Sequence, residues 1–171
     1  MGSSIILVGP MGAGKTTIGK MLAQEIGLPF KDIDHLVVEK TGASIPWIFD
    51  VEGEQGFRKR EHQVLVEALE DSAAVIATGG GIVSLEVNRE LLKAEKNVVF
   101  LYATVDQQFQ RTAKDKNRPL LQQDNPRQIL EQLMLQREPW YREVADLLIE
   151  TGKNKPRAVV NSIAQYWRNN S

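Results

Sequence analysis

The chain has 171 residues, 42% hydrophobic and 25% charged, and its 21 Lys+Arg nearly balance 22 Asp+Glu to leave a net charge of -1. That size suits one domain with its own core, and the balance supplies no basic field to draw in nucleic acid. The absence of cysteine rules out disulfides and thiolate metal sites and fits a reducing cytoplasm, while no apolar run is long enough to cross a bilayer and no charged start with an apolar core marks a signal peptide.

Short apolar runs alternate with stretches of helical period. Residues 4–8 predict a strand, followed by a glycine loop and a helix over about 15–26, which Gly27 ends. A short strand covers about 29–33 and two helical segments cover about 36–69. Residues 73–77 form an apolar strand that stops at three glycines, Gly79, Gly80 and Gly81. A helix over about 85–94, a strand over 97–102 and a helix over about 105–113 follow. Residues 114–125 are polar and without period. Asn125-Pro126 then starts a helix to about 143, Asn serving as cap and Pro in the first turn. A last strand at 146–149 and a helix at about 156–168 close the chain. Strands alternating with helices imply parallel pairing, with helices on both faces of the sheet.

The loop GPMGAGKTT meets G-x-x-x-x-G-K-[ST] at Gly9, Gly14, Lys15 and Thr16, between a strand and a helix as the motif requires. Glycines let successive N–H groups turn toward one anion, and the helix N-terminus adds its dipole. The motif therefore sets Gly12, Ala13, Gly14, Lys15, Thr16 and Thr17 around the phosphates of a nucleotide. Lys15 reaches the outer phosphates, and the Thr16 hydroxyl can ligate Mg2+. Three classes share such a loop: a small-molecule kinase, a GTPase switch, and a nucleotide-binding part of a larger machine. Asp50-Val51-Glu52-Gly53 is the D-x-x-G of a switch, but Asn154-Lys155 continues as Pro156-Arg157 and lacks the aspartate that would read guanine.

Asp32 and Asp34 close the second predicted strand, where residues two apart point the same way. Two carboxylates would thus converge at the carboxyl end of a parallel strand, the usual ligand edge of such sheets. One can hold Mg2+ through water and the other can accept a proton from a hydroxyl nucleophile. A helix cap at Asp34 plus an exposed acid is the plainer reading of the same spacing.

With these residues in hand, the stretch DIDHLVVEKTGASIPWIFDVEGEQGFRKRE resembles the shikimate kinase family. The likeness rests on Asp32/Asp34, Thr41-Gly42, Ile45, Ile48-Phe49, Gly53-Glu54 and Phe57-Arg58, then on TGGG, NRPLL and QREPWY, and it spans essentially the whole chain. It implies an adenylate-kinase-like P-loop fold with a five-stranded parallel sheet in the order 2-3-1-4-5. It also implies ATP-dependent phosphorylation of the 3-hydroxyl of shikimate, a step of aromatic amino acid biosynthesis. A single domain is expected over 1–171, with a lid at about 112–124, substrate-binding helices at about 35–62, and a monomeric, cytoplasmic protein. Another small-metabolite kinase of the fold, such as a gluconate kinase, is the alternative enzyme.

The resemblance assigns Arg58, on its own an ordinary surface charge, to the substrate carboxylate. Arg137 is more telling from the sequence: it lies in the apolar stripe of Leu130, Leu133, Met134, Trp140, Tyr141 and Val144, where a guanidinium needs an anion. An internal salt bridge or a ligand would satisfy it; the resemblance assigns the ligand, the same carboxylate. Gly79, Gly80 and Gly81 suit a backbone that approaches substrate closely, with the Gly80 N–H as donor. No Walker-B aspartate ends the third strand, so Asp32 is left to serve the metal through water. Arg118, in the basic stretch from Arg111, is implied as the lid residue that stabilises the transferring phosphoryl group. Asn154, within 151–156, is expected to contact adenine. Asp34 is the implied base. His35 and His62 stand at no metal-binding spacing.

Overall fold

Strands and helices alternate throughout the computed structural model, which describes residues 3–113, 121 and 124–170. In chain order they are β1 (Ile5–Val8), α1 (Lys15–Ile26), β2 (Phe30–Asp32), α2 (Ile33–Thr41), α3 (Ile45–Glu70), β3 (Val75–Ala77), a 3-10 turn (Ile82–Ser84), α4 (Glu86–Lys93), β4 (Val98–Tyr102), α5 (Val105–Thr112), α6 (Pro126–Val144), β5 (Leu147–Glu150) and α7 (Pro156–Asn169). The strands form one parallel sheet in the order β2-β3-β1-β4-β5. Both the alternation and this order agree with the sequence expectation.

The continuous apolar runs are explained by burial on both sheet faces. Ile6, Val8, Ile76, Val98 and Phe100 point into one core with α2, α3, α4 and α6. Their neighbours Ile5, Leu7, Val75, Val99 and Leu101 point into the other, with α1 and α7. The period of two in the strand thus divides one hydrophobic run between two helix layers.

Two helices depart from simple expectation in ways that shape the site. Gly53 sits inside α3 at φ 74, ψ 178 and breaks the helical path there. The D-x-x-G of the switch reading is therefore part of a kinked helix, not a loop following a strand. At the start of α6, Asn125 is in the left-handed region (φ 59) and its side chain makes no capping bond. Asparagine is used here for its tolerance of that backbone rather than as a side-chain acceptor, and Pro126 supplies the pre-set first turn. The expected lid falls largely outside the described residues, and Arg118 with it.

Candidate active site

The ligand edge is formed where β1, β2 and β3 end. Gly14 caps α1 at φ 91, a backbone that costs glycine no steric penalty. A cleft of about 400 Å3 opens there, lined by Gly12, Ala13, Gly14, Lys15, Thr16 and Thr17, and by Asp32, Asp34, Thr78 and Arg111 from other elements. The sequence-predicted phosphate residues and both aspartates thus share one cleft. Lys15 Nζ donates to the carbonyls of Gly9 and Pro10 at 2.5 and 2.8 Å, which stretches its side chain back across the loop.

The two aspartates meet by a route other than the one expected. Strand β2 stops at Asp32, whose carboxylate accepts the His35 N–H at 3.3 Å and caps α2. Asp34 therefore stands in the first turn of a helix, not two along a strand. The chain does turn into a helix here, but the cap is Asp32 and not Asp34, the residue the plainer reading had as cap. Asp32 also accepts from the Thr16 hydroxyl at 3.2 Å, which joins the two residues expected at the metal. Both are hard oxygen donors at the phosphate cleft. Mg2+ takes one or two protein oxygens and fills its shell with water and phosphate, so this pair fits it. Among the described residues no group of three or more His, Cys, Asp or Glu forms a closed metal cage.

Beside the cleft, each of the three glycines faces a charged group. A Cβ on Gly79 would lie 2.9 Å from Asp34 Oδ1 and 3.1 Å from Glu61 Oε2. One on Gly80 would lie 3.6 Å from Arg137 Nη1, and one on Gly81 only 2.2 Å from Arg58 Nη2. Gly79 and Gly81 leave no room for a side chain because two carboxylates and the Arg58 guanidinium close on this backbone, whereas a Cβ on Gly80 would make only ordinary contacts. Arg58 is buried and bonds Glu61 at 2.9 Å and Glu54 at 3.3 Å. Burial lowers the proton affinity of its guanidinium, but Glu61 and Glu54 more than offset that. Arg137 is 4% exposed, as its place in the apolar stripe required. The Nε atoms of Arg58 and Arg137 and the Oε2 of Glu61 are buried without a hydrogen-bond partner. Such polar atoms are costly to leave unmet, and all three side chains stand around the same glycine turn.

Glu61 is the residue the sequence reading missed. It is fully buried, and burial pushes its carboxyl up to about 7 against the pull of Arg58 and Arg137. Arg111, the first cation of the basic stretch, lies in α5 as the expected helix over about 105–113 required, and donates to the Gly12 carbonyl at 2.6 Å and the Thr151 hydroxyl at 3.4 Å, tying the phosphate loop to the segment after β5. Asn154 is exposed, donates to the Glu150 carbonyl at 2.8 Å, and is not among the residues lining the phosphate cleft. His35 lies 3.2 Å from Glu39, and His62 Nδ1 lies 2.6 Å from Asn88 Oδ1.

Comparison with known proteins fits this geometry. The sequence profile of the shikimate kinase family matches residues 11–168. A shikimate kinase of Pseudomonas aeruginosa (strain LESB58) is 54% identical over 165 residues, covering 96% of this chain and 96% of the relative. The solved structure of shikimate kinase from Acinetobacter baumannii in complex with shikimate superimposes with a TM-score of 0.95 at 52% identity, over 99% of this chain and 94% of that one. A gluconokinase from Sinorhizobium meliloti reaches a TM-score of 0.61 at 16% identity, over 98% of this chain and 94% of that one, and shares the fold alone.

Proposed function

The chain belongs to the shikimate kinase family and phosphorylates shikimate with ATP, and we propose that the transfer is to the 3-hydroxyl, with the work divided as follows. Asp34 orients that hydroxyl and accepts its proton. The freed oxygen attacks the γ-phosphorus in line as the bond to the leaving β-phosphate oxygen breaks, giving shikimate 3-phosphate and ADP. Arg58 and Arg137 pair with the carboxylate of the acid, for which the planar fork of arginine is suited. The Gly80 N–H donates to the substrate, and Gly79 and Gly81 leave room for it.

At the nucleotide, the backbone of Gly12 to Thr17 cradles the phosphates and Lys15 exchanges its loop carbonyls for phosphate oxygens. Thr16, and Asp32 through water, would hold Mg2+, which neutralises phosphate charge when bound. Arg118 is the proposed lid cation at the transferring group. Rate enhancement then comes from positioning and electrostatics, with no phosphoenzyme. Glu61 holds the Arg58 guanidinium in place from below. The protein is proposed to act as a cytoplasmic monomer; none of its helices is long and apolar enough to cross a membrane, among the described residues.

One observation supports this reading above the rest: acids and guanidinium groups converge on three consecutive glycines next to a phosphate cleft. A gluconate acceptor also combines hydroxyls with a carboxylate, so the arginines alone do not decide between them. The test is ADP release with shikimate and gluconate side by side, followed by NMR of the product. Turnover with shikimate alone and phosphate on O3 are expected; faster turnover with gluconate, or phosphate on another oxygen, overturns the proposal.

A further inference from the structure

The stretch QREPWY carries Arg137, but no step above uses its last two side chains, Trp140 and Tyr141. Tyr141 is 1% exposed, with its ring 5.1 Å from that of Phe100. Its hydroxyl donates to the Gly80 carbonyl at 2.5 Å. It lies one helical turn after Arg137, whose Nη1 stands 3.6 Å from where a Gly80 Cβ would be. One turn of α6 therefore bonds the Gly80 carbonyl through a phenol and sets a guanidinium beside the space a Gly80 side chain would fill. Trp140 acts on the same segment at one remove. The Arg89 guanidinium lies over its ring, 4.5 Å from the centroid, and donates to the Val83 carbonyl at 2.6 Å. Asn88, beside Arg89 on α4, donates to the Ile82 carbonyl at 3.0 Å.

Three consecutive glycines are the least self-constrained backbone a chain can have. They admit the charged groups around them, and for the same reason they cannot fix their own geometry. A binding site of this kind needs its donors held by neighbours. We propose that Trp140 and Tyr141 are positioning residues for the acceptor: they clamp the turn after β3 to α6, and so set the spacing between the Gly80 peptide and the Arg137 guanidinium. Burial pushes the Tyr141 hydroxyl up to about 12, so it remains a donor through the working range of pH.

The inference rests on the reading of Gly80 and Arg137 as shikimate ligands, and the experiment separates the two. Tyr141→Phe keeps the ring and removes only the hydroxyl. The shikimate KM is expected to rise about fivefold, roughly the worth of one neutral hydrogen bond, with the ATP KM and kcat within about twofold of wild type. Val160→Ala, a core change on α7 in the opposite helix layer, is expected to lower Tm and leave the shikimate KM unmoved, and so isolates positioning from general destabilisation. Arg89→Met cuts the Val83 tether and carries the test if Tyr141→Phe does not fold; a two- to threefold rise in shikimate KM is expected, about half of one such bond. A raised shikimate KM in Arg137→Lys with none in Tyr141→Phe, or in Arg89→Met where that variant stands in, overturns this inference alone. An unmoved shikimate KM in Arg137→Lys overturns the ligand reading and this inference with it.

Discussion

Replacing Glu61 with Gln tests whether the buried acid of the acceptor site behaves as its surroundings require. Glu61 is fully buried and faces Arg58, Asp34 and Arg137. Burial raises its carboxyl from 4.5 to about 7, although Arg58 pulls the other way. The folded protein therefore holds this proton more tightly than the unfolded chain. Between about pH 4.5 and pH 7 the native state binds more protons, so stability falls as pH rises and levels off above about 7. At about 1.4 kcal/mol for each tenfold in proton affinity, the full cost is roughly 3 kcal/mol, most of it spent between about pH 4.5 and pH 7. Glu61→Gln keeps the shape and an oxygen for Arg58 but cannot ionise. Urea unfolding of both proteins at intervals across that range gives the difference directly. The variant is expected to gain on wild type by roughly 2 to 3 kcal/mol from low to high pH. Parallel stability profiles would mean that water reaches this carboxylate and that the site is not closed around it.

Asp34→Asn is expected to lower kcat by roughly a hundredfold or more, as loss of a positioned base does, while ATP binding measured by calorimetry survives; near-normal turnover removes Asp34 as the base. Gly81→Ala puts a methyl 2.2 Å from Arg58 Nη2, and the guanidinium must move from a buried place. The shikimate KM should then rise about tenfold or more, the worth of one charged hydrogen bond, with the ATP KM unchanged; unchanged shikimate kinetics would show that Arg58 can shift without consequence. Arg111→Met removes the bridge between Gly12 and Thr151 and is expected to raise the ATP KM about tenfold by the same measure, leaving shikimate unaffected. An ATP KM that does not move assigns the bridge to folding alone.

Most of the fold was legible because its signals are local. Strands buried on both faces are short apolar runs, and glycine follows within two residues of β1, α1, α2, β3 and β5. The phosphate loop was legible for the same reason: its chemistry lies within nine consecutive residues. Asp34 shows where locality misleads. The run Phe30 to Asp34 suits a strand, yet Asp32 stands three residues before His35 and accepts its N–H. A cap of that kind was visible as a spacing, and it turns the chain into a helix at Ile33, about three residues earlier than the apolar pattern suggests.

Glu61 was missed although the argument that found Arg137 applied to it equally. It precedes Val64, Leu65 and Ala68 by three, four and seven residues, the same helical face, and all four are buried. A carboxylate on such a face raises the same question as a guanidinium on one, and Arg58, three residues earlier, is the local answer. What no local reading could supply is the meeting of α3 and α6 over the glycine turn. Arg58 and Arg137 are far apart in sequence, and only the parallel sheet order brings their helices to the same strand end. Read together, the buried Arg58–Glu61 pair and the Tyr141 bond to Gly80 indicate one design. Each helix brings a guanidinium to the glycine turn and a second polar group that bonds beside it. The cost of burying those charges falls on stability, and under the proposed function the gain is a set of donors held in place before the acid binds.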